Sequence, residues 1–286
     1  MKLINYVKLM RPKHFVKNAL IFVPIMYSFN LTNADMLLNV VICFIGLCLA
    51  ASGIYAVNDI ADYEKDKTHP QKKARPIASG EIKKSAAALF ALFLFAAGFL
   101  LMYLFGGELA LIFSVSYVFL NFAYSFALKH FAIIDCFCIA AGFVLRVYIG
   151  GAVIGEFVAV SEWLFLTITA VSLFLAFGKR RGELLMVASD SRKVIGEYNM
   201  DFLNGAVFAC AGVSIVFYAL WALTSVSAMI YTVPLVIFVI LKYLLNVHNG
   251  ISHGDPVTVI FDDKVLLLAI AVFGIISILF LYGGIS

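Results

Sequence analysis

Nine apolar runs divide the sequence, each close to the roughly 20 residues that an α-helix needs to cross a bilayer. The first run is the weakest of the nine. The runs lie near residues 15–30, 36–57, 85–105, 109–127, 132–154, 162–178, 202–222, 228–246 and 264–283. Because 63% of the 286 residues are hydrophobic and 13% are charged, a single core in water cannot bury them all. We predict an all-α polytopic membrane protein of about nine transmembrane helices, with one integral-membrane domain over residues 1–286.

The positive charges are distributed unevenly between the two sides of this predicted bundle. All Lys and Arg residues except Arg146 and Lys242 lie in the polar segments of one side or at the helix ends beside them. The connections on the other side contain acidic residues but no Lys or Arg: Asp35, Glu108, Glu156 and Glu162. Since Lys and Arg accumulate on the cytoplasmic side, we predict a cell-membrane protein with its N-terminus in the cytoplasm and its C-terminus outside. The long polar segments are then cytoplasmic: 58–84, 128–135, 179–201 and 247–263.

Three aspartates follow one another at helical spacing at the cytoplasmic end of the second run, where residues 58–66 read NDIADYEKD. If the helix continues beyond the membrane, Asp59, Asp62 and Asp66 stand at i, i+3 and i+7 and share one face. Such like charges repel one another, so the arrangement is costly unless a divalent cation binds among them. Mg²⁺ prefers one or two carboxylates together with substrate phosphates as ligands. We therefore predict the three aspartates to be Mg²⁺ ligands, against the alternative of a solvated loop.

A basic stretch follows directly after the carboxylates. It contains Lys72, Lys73 and Arg75. Lys and Arg side chains bind phosphate oxygens through charge-assisted hydrogen bonds. Acidic groups for a metal beside bases for phosphate indicate an anionic, phosphorylated substrate.

With the following RPIASG at 75–80, this stretch resembles the first motif of the UbiA superfamily of intramembrane prenyltransferases. The resemblance implies a bundle of nine helices with a cavity that faces the cytoplasm. It also implies Mg²⁺-dependent displacement of a diphosphate.

The loop after the sixth run differs from the pattern of superfamily members that prenylate aromatic rings. Those members carry a second aspartate-rich motif there, whereas residues 178–184 of this chain read GKRRGEL. The cluster Lys179–Arg181 needs an anionic partner, which is a substrate phosphate or, alternatively, the lipid headgroups.

Arg146 lies deep in the fifth run. An ion pair with Asp135 along the same helix is impossible, because eleven helical positions span about 16 Å. A charged side chain in a membrane normally faces a polar cavity, so we expect Arg146 to face one.

These features together resemble the decaprenyl-phosphate phosphoribosyltransferase branch of the superfamily. The branch is implied by the first motif, the cationic second loop and scattered groups along the chain: Arg11-Pro12-Lys13, Lys17-Asn18, Tyr124-Ser125, Lys129, Gly142-Phe143, Arg146, Glu183 and Asp255-Pro256. Phosphoribosyl pyrophosphate and a polyprenyl phosphate together carry more phosphate than one metal site can neutralise, so additional Lys and Arg are required.

The resemblance implies transfer of 5-phosphoribosyl from phosphoribosyl pyrophosphate to a polyprenyl phosphate of decaprenyl type, with release of diphosphate. The product would supply a lipid-linked pentose, the arabinose donor, for the cell envelope. The implied partners are these two substrates and the membrane; nucleic acid is excluded, and a homo-oligomer is left open. The implied catalytic residues are Asn58, Asp59, Asp62, Asp66 and Lys129. The implied phosphate-binding residues are Lys13, Lys17, Lys72, Lys73, Arg75, Tyr124, Arg146, Lys179 and Arg180.

Three other functions remain open from the sequence. An aromatic prenyltransferase of quinone or haem biosynthesis would use a polyprenyl diphosphate, and the missing second acidic motif counts against it. A secondary transporter would explain Asp135 and Arg146 as intramembrane charges but not the three carboxylates beside a run of bases. A catalytically idle lipid-binding protein would be insensitive to substitution of Asp59 or Asp62.

Overall fold

The computed structural model describes residues 2–70, 72–155, 161–185, 193–250 and 256–283. These residues form eleven α-helices, joined by turns and short 3₁₀ helices, and contain no strand, which confirms the all-α prediction. The helices are α1 Lys2–Met10, α2 Val23–Tyr27, α3 Ala34–Ala61, α4 Tyr63–Thr68, α5 Lys84–Phe126, α6 Ile134–Val153, α7 Glu162–Leu185, α8 Met200–Thr224, α9 Val233–His248, α10 Pro256–Asp262 and α11 Lys264–Tyr282.

Seven helical segments are long and apolar enough to cross a membrane, so the chain is a multi-pass membrane protein. The longest, α5, contains 43 residues and is interrupted at Gly107, whose φ is +76°. The rings of Phe95 and Phe122 lie 5.9 Å apart, whereas an unbroken helix would separate them by about 40 Å. Helix α5 is therefore a hairpin of two helices, which correspond to the predicted runs 85–105 and 109–127.

The predicted count of nine transmembrane helices is not confirmed. The weak first run forms the 3₁₀ helix Pro12–Phe22 and the five-residue helix α2, and no helix of spanning length is found there. Ile21 and Ile25 are fully buried. A Cβ atom on Gly150 of α6 would lie 2.1 Å from the carbonyl oxygen of Ile21. This segment is thus held tightly against the protein.

The chain divides into two compact units. Unit 1 comprises Met1–Ser125 and Leu145–Ala159, and unit 2 comprises Phe126–Val144 and Val160–Ser286. The prediction of a single transferase domain over residues 1–286 stays a prediction.

Small residues bring the helices of unit 1 together. A Cβ atom on Gly98 of α5 would lie 2.7 Å from the carbonyl oxygen of Gly46 in α3, so these two backbones pass each other closely. A Cβ atom on Gly53 would meet the ring of Phe95 at 2.7 Å. Because lipid is as apolar as a leucine side chain, this close packing rather than the hydrophobic effect holds membrane helices together.

Unit 2 is built on helix α7, which packs along α8, with α9 and α11 completing the bundle. Helix α7 continues to Leu185, seven residues beyond the predicted end of the sixth run at 178, so Lys179–Arg181 belong to the helix and not to a loop. The segment after it, 186–192, lies outside the described residues, as do Glu156 and Asp255.

Candidate active site

The carboxylate motif lies where α3 ends and α4 begins. The helix does not continue as expected, because α3 ends at Ala61 and Asp62 caps it with φ −88° and ψ 7°. The backbone N–H of Asp66 still donates to the carbonyl oxygen of Asp62 at 2.8 Å. The bend leaves Asp62 partly exposed, whereas Asp59 and Asp66 are each only 2% exposed.

Arg75 joins the two buried carboxylates. Its Nη1 atom donates to Asp59 Oδ1 at 2.9 Å and to Asp66 Oδ2 at 2.7 Å. The backbone after Arg75 turns tightly, with Gly80 at φ +82°, and Ile77 is buried at 1% exposure. A buried anchor therefore fixes the turn from which Arg75 reaches back to the aspartates.

Arg11 is a second cation on Asp59. Its Nη2 atom donates to the same Oδ1 oxygen that Arg75 contacts. The guanidinium also lies 5.1 Å from the ring centroid of Tyr55, within the range of a cation–π interaction. Arg11 lies between α1 and the 3₁₀ helix Pro12–Phe22. Its φ is +55°, a left-handed conformation that the sequence does not predict.

The donor atoms of this site fit a divalent cation that shares its ligands with a substrate. Within the described ranges, no three His, Cys, Asp or Glu side chains form a metal-binding group on their own. Asp59 and Asp66, however, reach one guanidinium nitrogen, and Asn58 Oδ1 is buried with no hydrogen-bond partner among the described residues. Since Mg²⁺ commonly binds one or two carboxylates plus phosphate oxygens, these residues suit it.

Arg146 is buried in unit 1, at 7% exposure, and its neighbours include neutral polar groups. Its Nε atom donates to Asn18 Oδ1 at 2.9 Å and its Nη2 atom to the hydroxyl of Tyr117 at 2.8 Å. As expected from helix geometry, it does not pair with Asp135, whose partner is Arg180.

Arg180 forms a buried ionic network in unit 2. Its side chain is 1% exposed and donates to Asp135 at 2.5 Å and to Glu183 at 2.5 Å. The hydroxyl of Tyr198 donates to the other oxygen of Asp135 at 2.7 Å. Because the side chain is only 1% exposed and already binds two carboxylates, the geometry supports a holding role for this arginine rather than direct phosphate binding.

The neighbouring cations of α7 differ in accessibility. Arg181 donates to Asn204 at 2.7 Å and to the carbonyl oxygen of Val247 at 2.8 Å, which ties α7 to α8 and α9. Lys179 is partly exposed. Of the three cations in this cluster, Lys179 is therefore the one with an accessible side chain.

The remaining predicted site residues lie on short helices and helix ends. In unit 1, Lys13, Lys72 and Lys73 are exposed and Lys17 and Tyr124 are partly buried; in unit 2, Lys129 is partly buried on the 3₁₀ helix Leu128–His130. The structure thus brings Asp59, Asp66 and Arg75 into direct contact. Lys72 and Lys73 directly precede Arg75, whose backbone N–H donates to the carbonyl oxygen of Lys72 at 2.9 Å, and Lys13 follows Arg11 by two positions.

Two tyrosines and one arginine at these sites were not assigned roles from the sequence. Tyr117 binds Arg146, Tyr198 binds Asp135 and Arg11 binds Asp59. For the tyrosines, the available sequence signal is that a buried hydroxyl needs a hydrogen-bond partner. The chain has 13 tyrosines, however, and the sequence does not show which of them are buried.

Comparison with known proteins places these features in a family. The chain matches the model of the UbiA prenyltransferase family over residues 19–255. It is 32% identical to the decaprenyl-phosphate phosphoribosyltransferase of Mycolicibacterium smegmatis, over 91% of this chain and 87% of that protein. It is 34% identical to the protein of the same name from Corynebacterium glutamicum, over 93% of this chain and 83% of that protein.

Solved structures share the fold at low sequence identity. A UbiA homologue from Archaeoglobus fulgidus bound to DMAPP and Mg²⁺ superposes with a TM-score of 0.72 at 18% identity, covering 97% of this chain and 96% of that one. The same homologue has also been solved with Cd²⁺, with a TM-score of 0.71 at 17% identity and the same coverage.

Proposed function

The chain belongs to the UbiA prenyltransferase family, and we propose that it is a phosphoribosyltransferase. It would transfer 5-phosphoribosyl from phosphoribosyl pyrophosphate to a polyprenyl phosphate of decaprenyl type and release diphosphate. The observation that carries the proposal is the buried pair Asp59 and Asp66 bridged by Arg75, which combines cation-binding oxygens with a phosphate-binding guanidinium. The relatives from Mycolicibacterium smegmatis and Corynebacterium glutamicum are named decaprenyl-phosphate phosphoribosyltransferases, which supports the choice of the transferred group and of the acceptor.

Asp59, Asp62 and Asp66, with Asn58, would hold Mg²⁺ on the diphosphate of the donor. When bound, the ion supplies positive charge that stabilises the departing diphosphate. Support comes from the buried oxygens of Asp59 and Asp66 and from the Oδ1 of Asn58, which has no hydrogen-bond partner in the described part of the chain.

Arg75 and Arg11 would neutralise the same leaving group. Each guanidinium has several N–H donors and uses at least one of them on Asp59. The remaining donors are suited to phosphate oxygens, where charge develops as the bond breaks. The arginines thereby keep the aspartates paired before the substrate arrives and assist departure of the diphosphate afterwards.

The reaction exchanges one C–O bond for another at C1 of the ribose. The bond to the diphosphate oxygen breaks, and the diphosphate leaves with the electron pair. An oxygen of the polyprenyl phosphate forms the new bond. Because this nucleophile is already an anion, no side chain has to remove a proton from it.

The other bases would neutralise the 5-phosphate of the donor and the phosphate of the lipid. We assign this role to Lys13, Lys17, Lys72, Lys73, Lys129, Arg146 and Lys179, while Tyr124 would donate a hydrogen bond to a phosphate oxygen. Arg180 is better suited to supporting this region, because Asp135 and Glu183 bind it. The polyprenyl tail would lie among apolar helices open to lipid, and the site would face the cytoplasm as the charge distribution predicts. The product would then enter lipid-linked pentose and cell-envelope biosynthesis.

Assays with two alternative pairs of donor and acceptor test the proposal. Purified protein with Mg²⁺ should release diphosphate only when phosphoribosyl pyrophosphate and a polyprenyl phosphate are both present. Diphosphate release from a polyprenyl diphosphate with an aromatic acid, and none from the proposed pair, would overturn the proposal in favour of an aromatic prenyltransferase.

A further inference from the structure

The turn that precedes α6 contains a strained residue. Ile133 has φ +69°, in the left-handed region. A β-branched side chain rarely adopts this conformation, because its Cβ atom approaches the backbone too closely. Such a residue persists only where surrounding contacts hold it, so the contacts around Ile133 show what stabilises the turn.

Side-chain packing accounts for only part of this turn, in which Ala132 packs against the core of unit 2. The neighbouring apolar side chains are exposed, at 54% for Phe131, 44% for Ile133 and 45% for Ile134. The backbone N–H of Ile133 instead donates to the hydroxyl of Tyr198 at 2.6 Å. Besides its local backbone hydrogen bonds, the turn is therefore held by a polar contact from a residue 65 positions later in the chain.

The Tyr198 hydroxyl is itself fixed by a buried ion pair. It donates to Asp135 Oδ1 at 2.7 Å, while Arg180 binds Asp135 Oδ2 at 2.5 Å. Burial, together with the hydrogen bond to the Asp135 carboxylate, raises the pKa of Tyr198, so the hydroxyl remains a donor throughout the physiological range. Tyr198 can thus accept from Ile133 and donate to Asp135 at the same time.

Lys129 lies on the 3₁₀ helix Leu128–His130, which directly precedes this turn. The N–H of Asp135 donates to the carbonyl oxygen of Phe131 at 3.1 Å, and the N–H of Phe131 donates to that of Leu128 at 3.2 Å. Two hydrogen-bonded steps therefore connect the buried Asp135 to the 3₁₀ helix Leu128–His130. This short helix also contacts the 3₁₀ helix Lys193–Glu197, which directly precedes Tyr198.

We propose that Tyr198 is a positioning residue that holds the strained Ile133 turn and thereby fixes Lys129 for binding a substrate phosphate. Asp135 and Arg180 support it by fixing its hydroxyl. The inference rests on the proposed function for the role of Lys129, but the coupling of Tyr198 to the turn stands on the hydrogen bonds alone.

Hydrogen exchange of the purified protein tests the coupling independently of activity. Tyr198→Phe removes only the hydroxyl, and backbone exchange in residues 128–137 should become faster while α8 and α9 keep their protection. Unchanged exchange in that segment would overturn the proposal.

Kinetics test the link to Lys129. Tyr198→Phe should raise KM for one of the two phosphate substrates about tenfold with kcat unchanged, because a ground-state contact is lost. Lys129→Gln should raise KM for the same substrate, and the double variant should be no worse than Lys129→Gln alone. Additive increases in KM, or a normal KM in Tyr198→Phe, would contradict the proposal.

A rescue experiment separates positioning from general destabilisation. Ile133→Gly removes the steric strain, since glycine adopts φ +69° freely, and should restore KM in the Tyr198→Phe background. Ile134→Gly is the matched control, because its side chain is equally exposed and its φ is not positive; it should not restore KM. Equal effects of the two glycines would overturn the proposal. If the unaltered protein forms no phosphoribosyl lipid, the proposed function fails, and hydrogen exchange still decides whether Tyr198 holds the turn.

Discussion

One carboxylate oxygen of Asp59 accepts hydrogen bonds from both Arg11 and Arg75, although the residue is only 2% exposed. A charge buried this deeply is stable only with its partners, and removing one partner costs about 3–5 kcal/mol. Asp59 therefore serves both the stability of unit 1 and the chemistry, and substitutions at this position must keep the shape of the side chain.

We expect Asp59→Asn to lower kcat about 100-fold or more, because a charged group beside the leaving diphosphate is lost while the side-chain shape is kept. The measurement is the rate of diphosphate release at saturating substrates. Glu64→Gln is the matched control, because it removes the same charge from the exposed face of α4, where the Glu64 side chain is 80% exposed. Equal rates in the two variants would contradict a catalytic role for Asp59.

Arg75→Lys should raise KM for phosphoribosyl pyrophosphate about tenfold, because an ammonium group keeps the charge but loses the planar fork. Arg75 contacts Asp59 and Asp66 with Nη1 alone, and its other nitrogens are the donors that we assign to the diphosphate, which a lysine lacks. Steady-state kinetics with a varied donor concentration checks this prediction. A normal KM in the lysine variant would show that only the charge at this position matters.

Part of the site could be predicted from residue spacing and part could not. Asp59, Asp66 and Arg75 are close in the chain, so helix geometry and proximity indicate their association. Arg11 reaches Asp59 across 48 positions, and Tyr198 reaches Asp135 across 63. Such contacts depend on tertiary packing, for which a single sequence gives no direct signal.

At the scale of elements, apolar length predicted most spans to within a few residues because a bilayer sets helix length directly. Predicted spans 132–154 and 202–222 correspond to helices Ile134–Val153 and Met200–Thr224. The weak first run predicts a span that the structure does not confirm, and the predicted end of the sixth run, at 178, falls seven residues before the end of α7 at Leu185. Both differences arise where segments lie against other protein segments, so hydropathy alone does not determine their extent.

Gly150→Ala should destabilise unit 1 by about 1–3 kcal/mol, because the new methyl group would overlap the backbone of Ile21. Thermal unfolding in detergent measures the effect. Gly212→Ala is the control in α8, where a Cβ atom meets nothing within 4 Å. Alanine is the better helix former by about 1 kcal/mol, so the control should be as stable as the original protein or more so. Equal destabilisation of the two variants would contradict the close packing of the 3₁₀ helix Pro12–Phe22 against α6.

For the whole molecule, the distribution of charge predicts which side of the membrane carries the site. The segment 58–84 contains the carboxylates and many of the bases, whereas the connection 223–227 contains neither Lys nor Arg. The positive-inside rule therefore assigns the former to the cytoplasm and the latter to the outside.

Labelling of intact cells with a membrane-impermeant maleimide checks this orientation. A cysteine introduced by Ser225→Cys should react in intact cells, and one introduced by Lys65→Cys should react only after the membrane is opened. Both positions are exposed in the structure, so access within the protein is matched. The reverse pattern would invert the proposed topology and place the carboxylates outside.

The identity of the lipid product tests the central claim most directly. Purified protein incubated with Mg²⁺, phosphoribosyl pyrophosphate and a polyprenyl phosphate should yield a lipid whose mass has increased by one 5-phosphoribosyl group, as measured by mass spectrometry of the lipid extract. The product should disappear when EDTA removes the cation and when Asp59 is replaced by asparagine. An unchanged polyprenyl phosphate, alongside a prenylated aromatic acid formed from a polyprenyl diphosphate, would contradict the account.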